Sequence, residues 1–135
     1  MSRPSLPPKT VPVWTQQVMT DDGDIYTYEL ANNLGYTRGV LRVFADTEVA
    51  TATLDIKLQA YHDVEAAWYD IPGASLSQIT ANASVSIDLV IGVGLTAVAN
   101  RVVSQVLPKR IRVHATCGDA TGDGFTVNAE FEFLP

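Results

Sequence analysis

The sequence predicts an all-β protein, an antiparallel two-sheet β-sandwich. Three observations carry this. Apolar residues recur at every second position in run after run, the spacing that turns one face of a strand inward. Clusters of turn-forming residues separate the runs. The 135 residues, 47% hydrophobic and 18% charged, suffice for one domain with a real core.

The N-terminal stretch comes first. Residues 1–12 hold Pro4, Pro7, Pro8 and Pro12. Proline fixes φ and has no amide proton, so an extended N-terminal arm is expected there, lying along a neighbouring molecule, with a single domain over 13–135. Strand candidates follow at 11–18, 25–28 and 40–45. Asp21-Asp22-Gly23-Asp24, and Asn32-Asn33 with Gly35, mark the turns between them.

The central runs are stronger. Leu54, Ile56, Leu58 and Ala60 alternate with Thr53, Asp55, Lys57 and Gln59. Shorter runs at 67–71 and 76–79 flank a turn expected at Pro72-Gly73. Val85, Ile87, Leu89 and Ile91 alternate with Ser84, Ser86 and Asp88. Between 95 and 106 the pattern is two-sided. Leu95, Val98, Ala99, Val102, Val103 and Val106 fit one helical face, but valine is a weak helix former and Gly92 and Gly94 stand just before. A loop and then a strand ending at Pro108 is the expected reading.

Two long runs close the chain. Ile111, Val113, Ala115 and Cys117 alternate with Arg110, Arg112, His114 and Thr116; Phe125, Val127, Ala129, Phe131 and Phe133 alternate with Thr126, Asn128, Glu130 and Glu132. The polar segment 118–124 between them suggests a hairpin. Setting Cys117 opposite Phe125 would place Arg112 against Glu130 and Arg110 against Glu132, so charge selects that register. Eight or nine such strands fit either an immunoglobulin-like or a jelly-roll sandwich. The single cysteine removes the Cys…Trp…Cys pattern of the former.

Composition narrows the function. Net charge is −6, and the first twenty residues contain Arg3 and Lys9 but no acid, so the remaining body is more acidic still. Such a surface repels phosphate backbones, and no direct nucleic-acid contact is expected. No apolar run is long enough to span a bilayer, and the N-terminus lacks the apolar segment of a secretory signal. Neither His62 nor His114 sits in a catalytic pattern, and no nucleophile or phosphate-binding motif is present, so the expectation is a non-enzyme without cofactor. The segment Asp119-Ala-Thr-Gly-Asp123-Gly124, with Glu130, is spaced like a calcium loop. Thr121 replaces a carboxylate at its third position, and an extended chain carries Glu130 about 20 Å from the turn. No metal is therefore expected. The candidate interface residues are Arg3, Pro4, Leu6, Pro7 and Pro8 of the arm, with Trp14, Trp68 and Tyr69 either aromatic anchors or equally core residues.

Two stretches carry a resemblance. Leu54-Asp-Ile-Lys-Leu-Gln59, followed by Trp68-Tyr-Asp-Ile-Pro-Gly73 and Gln78-Ile-Thr80, resembles small structural proteins encoded in tailed-bacteriophage head gene clusters. Val106-Leu-Pro-Lys-Arg-Ile-Arg-Val113 and the glycine-bounded final strand are similar too. The resemblance covers residues 50–133. It implies a jelly-roll-like sandwich that decorates the outside of an HK97-type capsid as a cement protein. It further implies contact with the major capsid protein, a homodimer or homotrimer, synthesis in the host cytoplasm, and residence on the virion surface. The alternatives are a head–tail, tail-tube or fibre component, and a carbohydrate-binding module.

Overall fold

The computed structural model describes residues 6–19, 25–47, 52–80, 85–118 and 124–135. Among these residues the regular structure is all strand: β1 (Lys9–Met19), β2 (Ile25–Ala31), β3 (Arg38–Thr47), β4 (Thr53–His62), β5 (Ala67–Ser75), β6 (Ile79–Thr80), β7 (Val85–Gly92), β8 (Val102–Ser104), β9 (Arg110–Gly118) and β10 (Phe125–Leu134). One sheet, A, has the order β1-β10-β3-β7-β8; the other, B, has the order β2-β9-β4-β5, with β6 paired to β4. Among the described strands only β7 and β8 run parallel. The chain crosses between sheets at most connections, and its first and last strands are neighbours. This interleaving is a jelly roll, and the all-β sandwich expected from the alternation is the fold found.

The period of two explains the core directly. Ile111, Val113, Ala115 and Cys117 of β9 are fully buried, as are Leu54 and Leu58 of β4. Across from them, Leu41 of β3, Leu89 and Ile91 of β7, and Phe125, Phe131 and Phe133 of β10 close the other side. Each of the larger side chains, valine to phenylalanine, contributes about 1.5–3 kcal/mol when taken from water. Phe131 and Phe133 meet edge to face at 4.8 Å. Gly39 on β3 makes room for them, since a Cβ there would run into the Phe131 ring.

The arm expected over 1–12 is corrected from Lys9 onward. Lys9, Thr10, Val11 and Pro12 pair with Phe133, Glu132, Phe131 and Glu130 of β10, so the boundary placed at residue 12 falls inside a strand. Proline is tolerated because β1 is an edge strand, where a missing amide proton need not break a ladder on both sides. Upstream, Leu6 packs against the core and the Pro7 carbonyl accepts a 2.8 Å hydrogen bond from the Tyr36 hydroxyl. Two irregularities then shift β1 relative to β10, between Pro12 and Trp14 and between Trp14 and Gln17. They turn the adjacent residues Val13 and Trp14 both inward. Gln16 takes up the second with φ of 49°, its amide donating to Asn128 Oδ1 at 2.8 Å.

The C-terminal hairpin is corrected outright. The two closing runs lie in different sheets: β9 pairs with β2 and β4, β10 with β1 and β3. Each has a continuous apolar face and is flanked on both sides, so pairing them would leave other strands without partners. The charges find other partners too. Glu130 and Glu132 both meet Arg42 of β3, at 3.6 and 3.1 Å, which holds its guanidinium more firmly protonated.

Two smaller readings resolve in the same way. Pro72-Gly73 is not a turn between strands but a bulge inside β5. Between the pairs Gln59–Asp70 and Lys57–Ser75 the chain of β5 takes up extra residues, and Gly73 supplies φ of 76°. The segment after Gly94 is a loop followed by the short strand β8, as expected, although the strand ends at Ser104. The acidic turn at 21–24 and the calcium-like loop at 119–123 lie outside the described residues.

Candidate partner interface

Strand alternation also decides what faces outward. On the outer face of sheet B, β4 presents Asp55, Lys57, Gln59 and Tyr61, β9 presents Arg110, Arg112 and His114, and β5 presents Trp68 and Asp70. Register brings them together: Gln59 lies opposite Arg112 on one side and Asp70 on the other, Lys57 lies opposite His114, and Tyr61 opposite Trp68.

The result is a strip in which each side chain is held by the next. The Arg110 guanidinium lies 3.9 Å from the centre of the Tyr61 ring and 5.4 Å from that of Trp68. Arg112 stacks over Trp68 at 4.7 Å. Its Nε and Nη2 donate to Gln59 Oε1 at 2.9 and 2.6 Å, and Gln59 Nε2 passes the chain on to Asp70 Oδ1 at 2.8 Å. Lys57 closes the far end on Asp70 at 3.0 Å. At the near end Arg110 keeps a looser contact with Glu29, 3.8 Å away. Cation–π stacking of this kind contributes about 0.5–1 kcal/mol per contact at exposed sites.

Protonation follows from these contacts. Hydrogen bonds from Gln59 and then Lys57 hold the Asp70 carboxyl below the usual aspartate range. His114 is held below the usual histidine range, first by its partial burial and then by the nearby positive charges of Lys57 and Arg112. Both groups therefore keep their neutral-pH charge states firmly.

Chemically the strip gathers residue types that recognition surfaces use. Tryptophan, tyrosine and arginine dominate binding energies where proteins meet. Here they are already fixed by their neighbours, which lowers the entropy lost on association. It is a poor sugar platform: the Tyr61 and Trp68 planes stand 63° apart and guanidiniums lie over both rings. Among the described residues no group of three or more His, Cys, Asp or Glu side chains is placed to hold a metal ion.

The residues singled out from sequence scatter over the molecule. Trp68 belongs to the strip. Tyr69, its neighbour in sequence, has the opposite parity and stacks instead with His62 at 4.6 Å, remaining exposed. Trp14 is a correction: it is core, buried by the double shift of β1. Pro7 and Pro8 are exposed and Leu6 half-buried, while Arg3 and Pro4 lie outside the described residues. Sequence reasoning placed Arg110 and Arg112 on an outer face but not beside Tyr61 and Trp68, because alternation reports a face and not a neighbouring strand.

No known protein family matches the chain, and no curated protein matches it. Solved structures do. A structure of the infectious bursal disease virus Gx strain superposes with a TM-score of 0.58 at 10% identity, covering 95% of this chain and 32% of that one. A crystal structure of the infectious bursal disease virus VP2 subviral particle gives 0.56 at 11% identity, with the same coverage. This chain thus spans about a third of the length of those chains, and at such identity the likeness is one of fold: the sandwich described above is also a domain of proteins from virus particles.

Proposed function

We propose that this chain is a virion structural protein, and more specifically a decoration protein that binds the outside of a tailed-phage capsid of HK97 type and bridges its major capsid subunits. The observation that carries the reading is the jelly roll itself, shared over 95% of the chain with proteins of virus particles. The resemblance of residues 50–133 to phage head-cluster proteins narrows it from virion to phage head. In this reading the chain has no catalytic step and acts by binding alone.

The strip on sheet B is the capsid-facing surface in this proposal. Its guanidiniums lie over rings, and the N–H groups not engaged by Gln59 or Glu29 can meet partner carboxylates or carbonyls. The test is co-sedimentation of the purified chain with phage heads assembled without it, followed by electron microscopy. Saturation at hundreds of copies on the outer shell is the expected result. Trp68→Ala and Arg110→Ala should each weaken binding about 10- to 100-fold. Saturation at a dozen copies at one vertex would instead identify a neck or tail component, and no binding would overturn the reading.

A further inference from the structure

One end of the sandwich gathers exposed apolar side chains. In sheet B, Ala31 at the end of β2 lies opposite Arg110 at the start of β9, and His62 opposite Ala67 carries the hairpin from β4 to β5. In sheet A, Arg38 at the start of β3 lies between Leu134 and Gly92, and Gly92 lies opposite Ser104. The connections 32–37 and 105–109 cross from one sheet to the other here, so these strand ends share one end of the molecule. On it stand Leu34, Val64, Val93 and Val106, 59%, 96%, 62% and 68% exposed. Single exposed apolar residues are ordinary, but four on the loops of one end need a reason.

These loops are held in place. The buried Asn32 side chain donates to the Tyr36 carbonyl at 2.9 Å and accepts from the Tyr36 amide at 3.0 Å. The Asn32 amide donates to the Lys109 carbonyl at 2.7 Å, which ties the two crossing connections together, and the Gln105 amide reaches the Gly92 carbonyl at 3.0 Å. Below Val64 the hairpin is clamped by Tyr61 against Trp68 and His62 against Tyr69, ring centres 5.2 and 4.6 Å apart. Apolar side chains on so fixed a backbone lose little entropy when a partner covers them.

We infer that this end docks on a protein surface that is apolar at its centre and rimmed by carboxylates. The inference rests on the decoration reading and sharpens it: the capsid contact is centred here and takes in only the near half of the strip. Charge selects the partner. The charged residues of these strand ends and of the loops at 32–37, 63–66 and 105–109 are the exposed Lys9, Arg38, Lys109 and Arg110 against Asp63 and Glu65. Four bases against two acids give +2 on a chain of net −6, so the rest carries −8. Glu29, two residues inward on β2, meets Arg110 only at 3.8 Å. An acidic partner surface is drawn to this end and repelled by the remainder. Continuity agrees, since Tyr61, Trp68 and Arg110 adjoin the end, whereas Lys57 and His114 lie four residues, about 13 Å, further along their strands. An anionic membrane fits less well, because Asp63 and Glu65 flank the most exposed tip and would enter the headgroups with it.

Co-sedimentation with phage heads assembled without the chain tests the inference. Val64→Asp should weaken binding about 10-fold or more, and the neutral Val64→Ser about 3-fold or more, both with unchanged melting temperature. Lys109→Glu should weaken it about 5- to 10-fold, more at low salt than at high. Phe44→Ser, at an exposed apolar residue on the outer face of sheet A, should leave binding unchanged. Phosphatidylserine vesicles should not float the wild-type chain. Heads bound equally by the wild type and by the Val64 and Lys109 variants would overturn the inference and leave the decoration reading standing, as would tighter binding by Lys109→Glu. A wild type that binds no heads would overturn both. Vesicle flotation abolished by Val64→Asp would overturn the protein partner in favour of a lipid surface.

Discussion

Asp70 and His114 make acid sensitivity a property of individual residues. Both have folded pKa values lowered from their ordinary ones, so in the affected windows the unfolded chain binds more protons than the folded one. Stability then rises with pH. For His114 the loss begins as pH falls below about 6.5, the unperturbed histidine value, and continues to its lowered folded value. For Asp70 the contribution is present above about 3.9 and disappears as pH falls through its folded value. Denaturant midpoints measured from pH 8 to pH 3 should therefore decline in two stages. His114→Gln should flatten the upper stage and Asp70→Asn the lower, while each leaves the other in place. A decline unchanged by His114→Gln would show that burial and the charges of Lys57 and Arg112 do not hold that imidazole low.

The hairpin joining β4 to β5 shows what a single element leaves improvable. Ala66 closes it with φ of 52°, a left-handed conformation that costs a Cβ-bearing residue about 1 kcal/mol. Ala66 is exposed, so its methyl returns little packing. Ala66→Gly should raise unfolding stability by about 0.5–1 kcal/mol, read from urea denaturation with an unchanged slope. No sequence signal marked this position, because alanine is not a turn residue and the geometry is imposed by the strands on either side. Elements were otherwise legible to the extent that alternation is strict. The runs containing Leu54–Ala60 and Ile111–Cys117 were read as one-sided strands; Leu54, Ile56, Leu58 and Ile111 to Cys117 at alternate positions are buried as read, while Ala60 is only partly buried and the outward Gln59 is buried too. The bulges were not legible. Trp14 was read as an anchor since nothing in a period of two announces that two successive residues will both turn inward.

At the scale of the whole molecule, alternation is silent about pairing. The polar segment before Phe125 reads equally well as a hairpin within one sheet or an arch between two, and only the full set of strands competing for partners decides. The jelly roll places β1 beside β10, so Lys9, Thr10, Val11 and Pro12 pair with the far end of the chain, while Pro7 is held by Tyr36. Deleting residues 1–12 removes four of the eleven residues of an edge strand and the Pro7–Tyr36 bond. It should cost about 2 kcal/mol or more, a fall in Tm of roughly 6–10 °C. Calorimetry of the truncated chain checks this; an unchanged Tm would restore the detachable arm that the prolines suggested. Closing sheet A also joins the most distant parts of the sequence, which makes folding slow for the chain's size.

That same closure sets the direction in which the protein is mechanically weak. Lys9 lies opposite Phe133, so the outer ends of β1 and β10 leave the sandwich side by side. Tension applied through them peels β1 away at right angles to the strands and opens the ladder like a zipper, one bond after another. Load applied along the strands would meet all those bonds at once, in shear. A molecule built this way resists strain when it is gripped by its broad sheet faces or by the β8 edge. Gripped by its two ends, it yields first at its own seam.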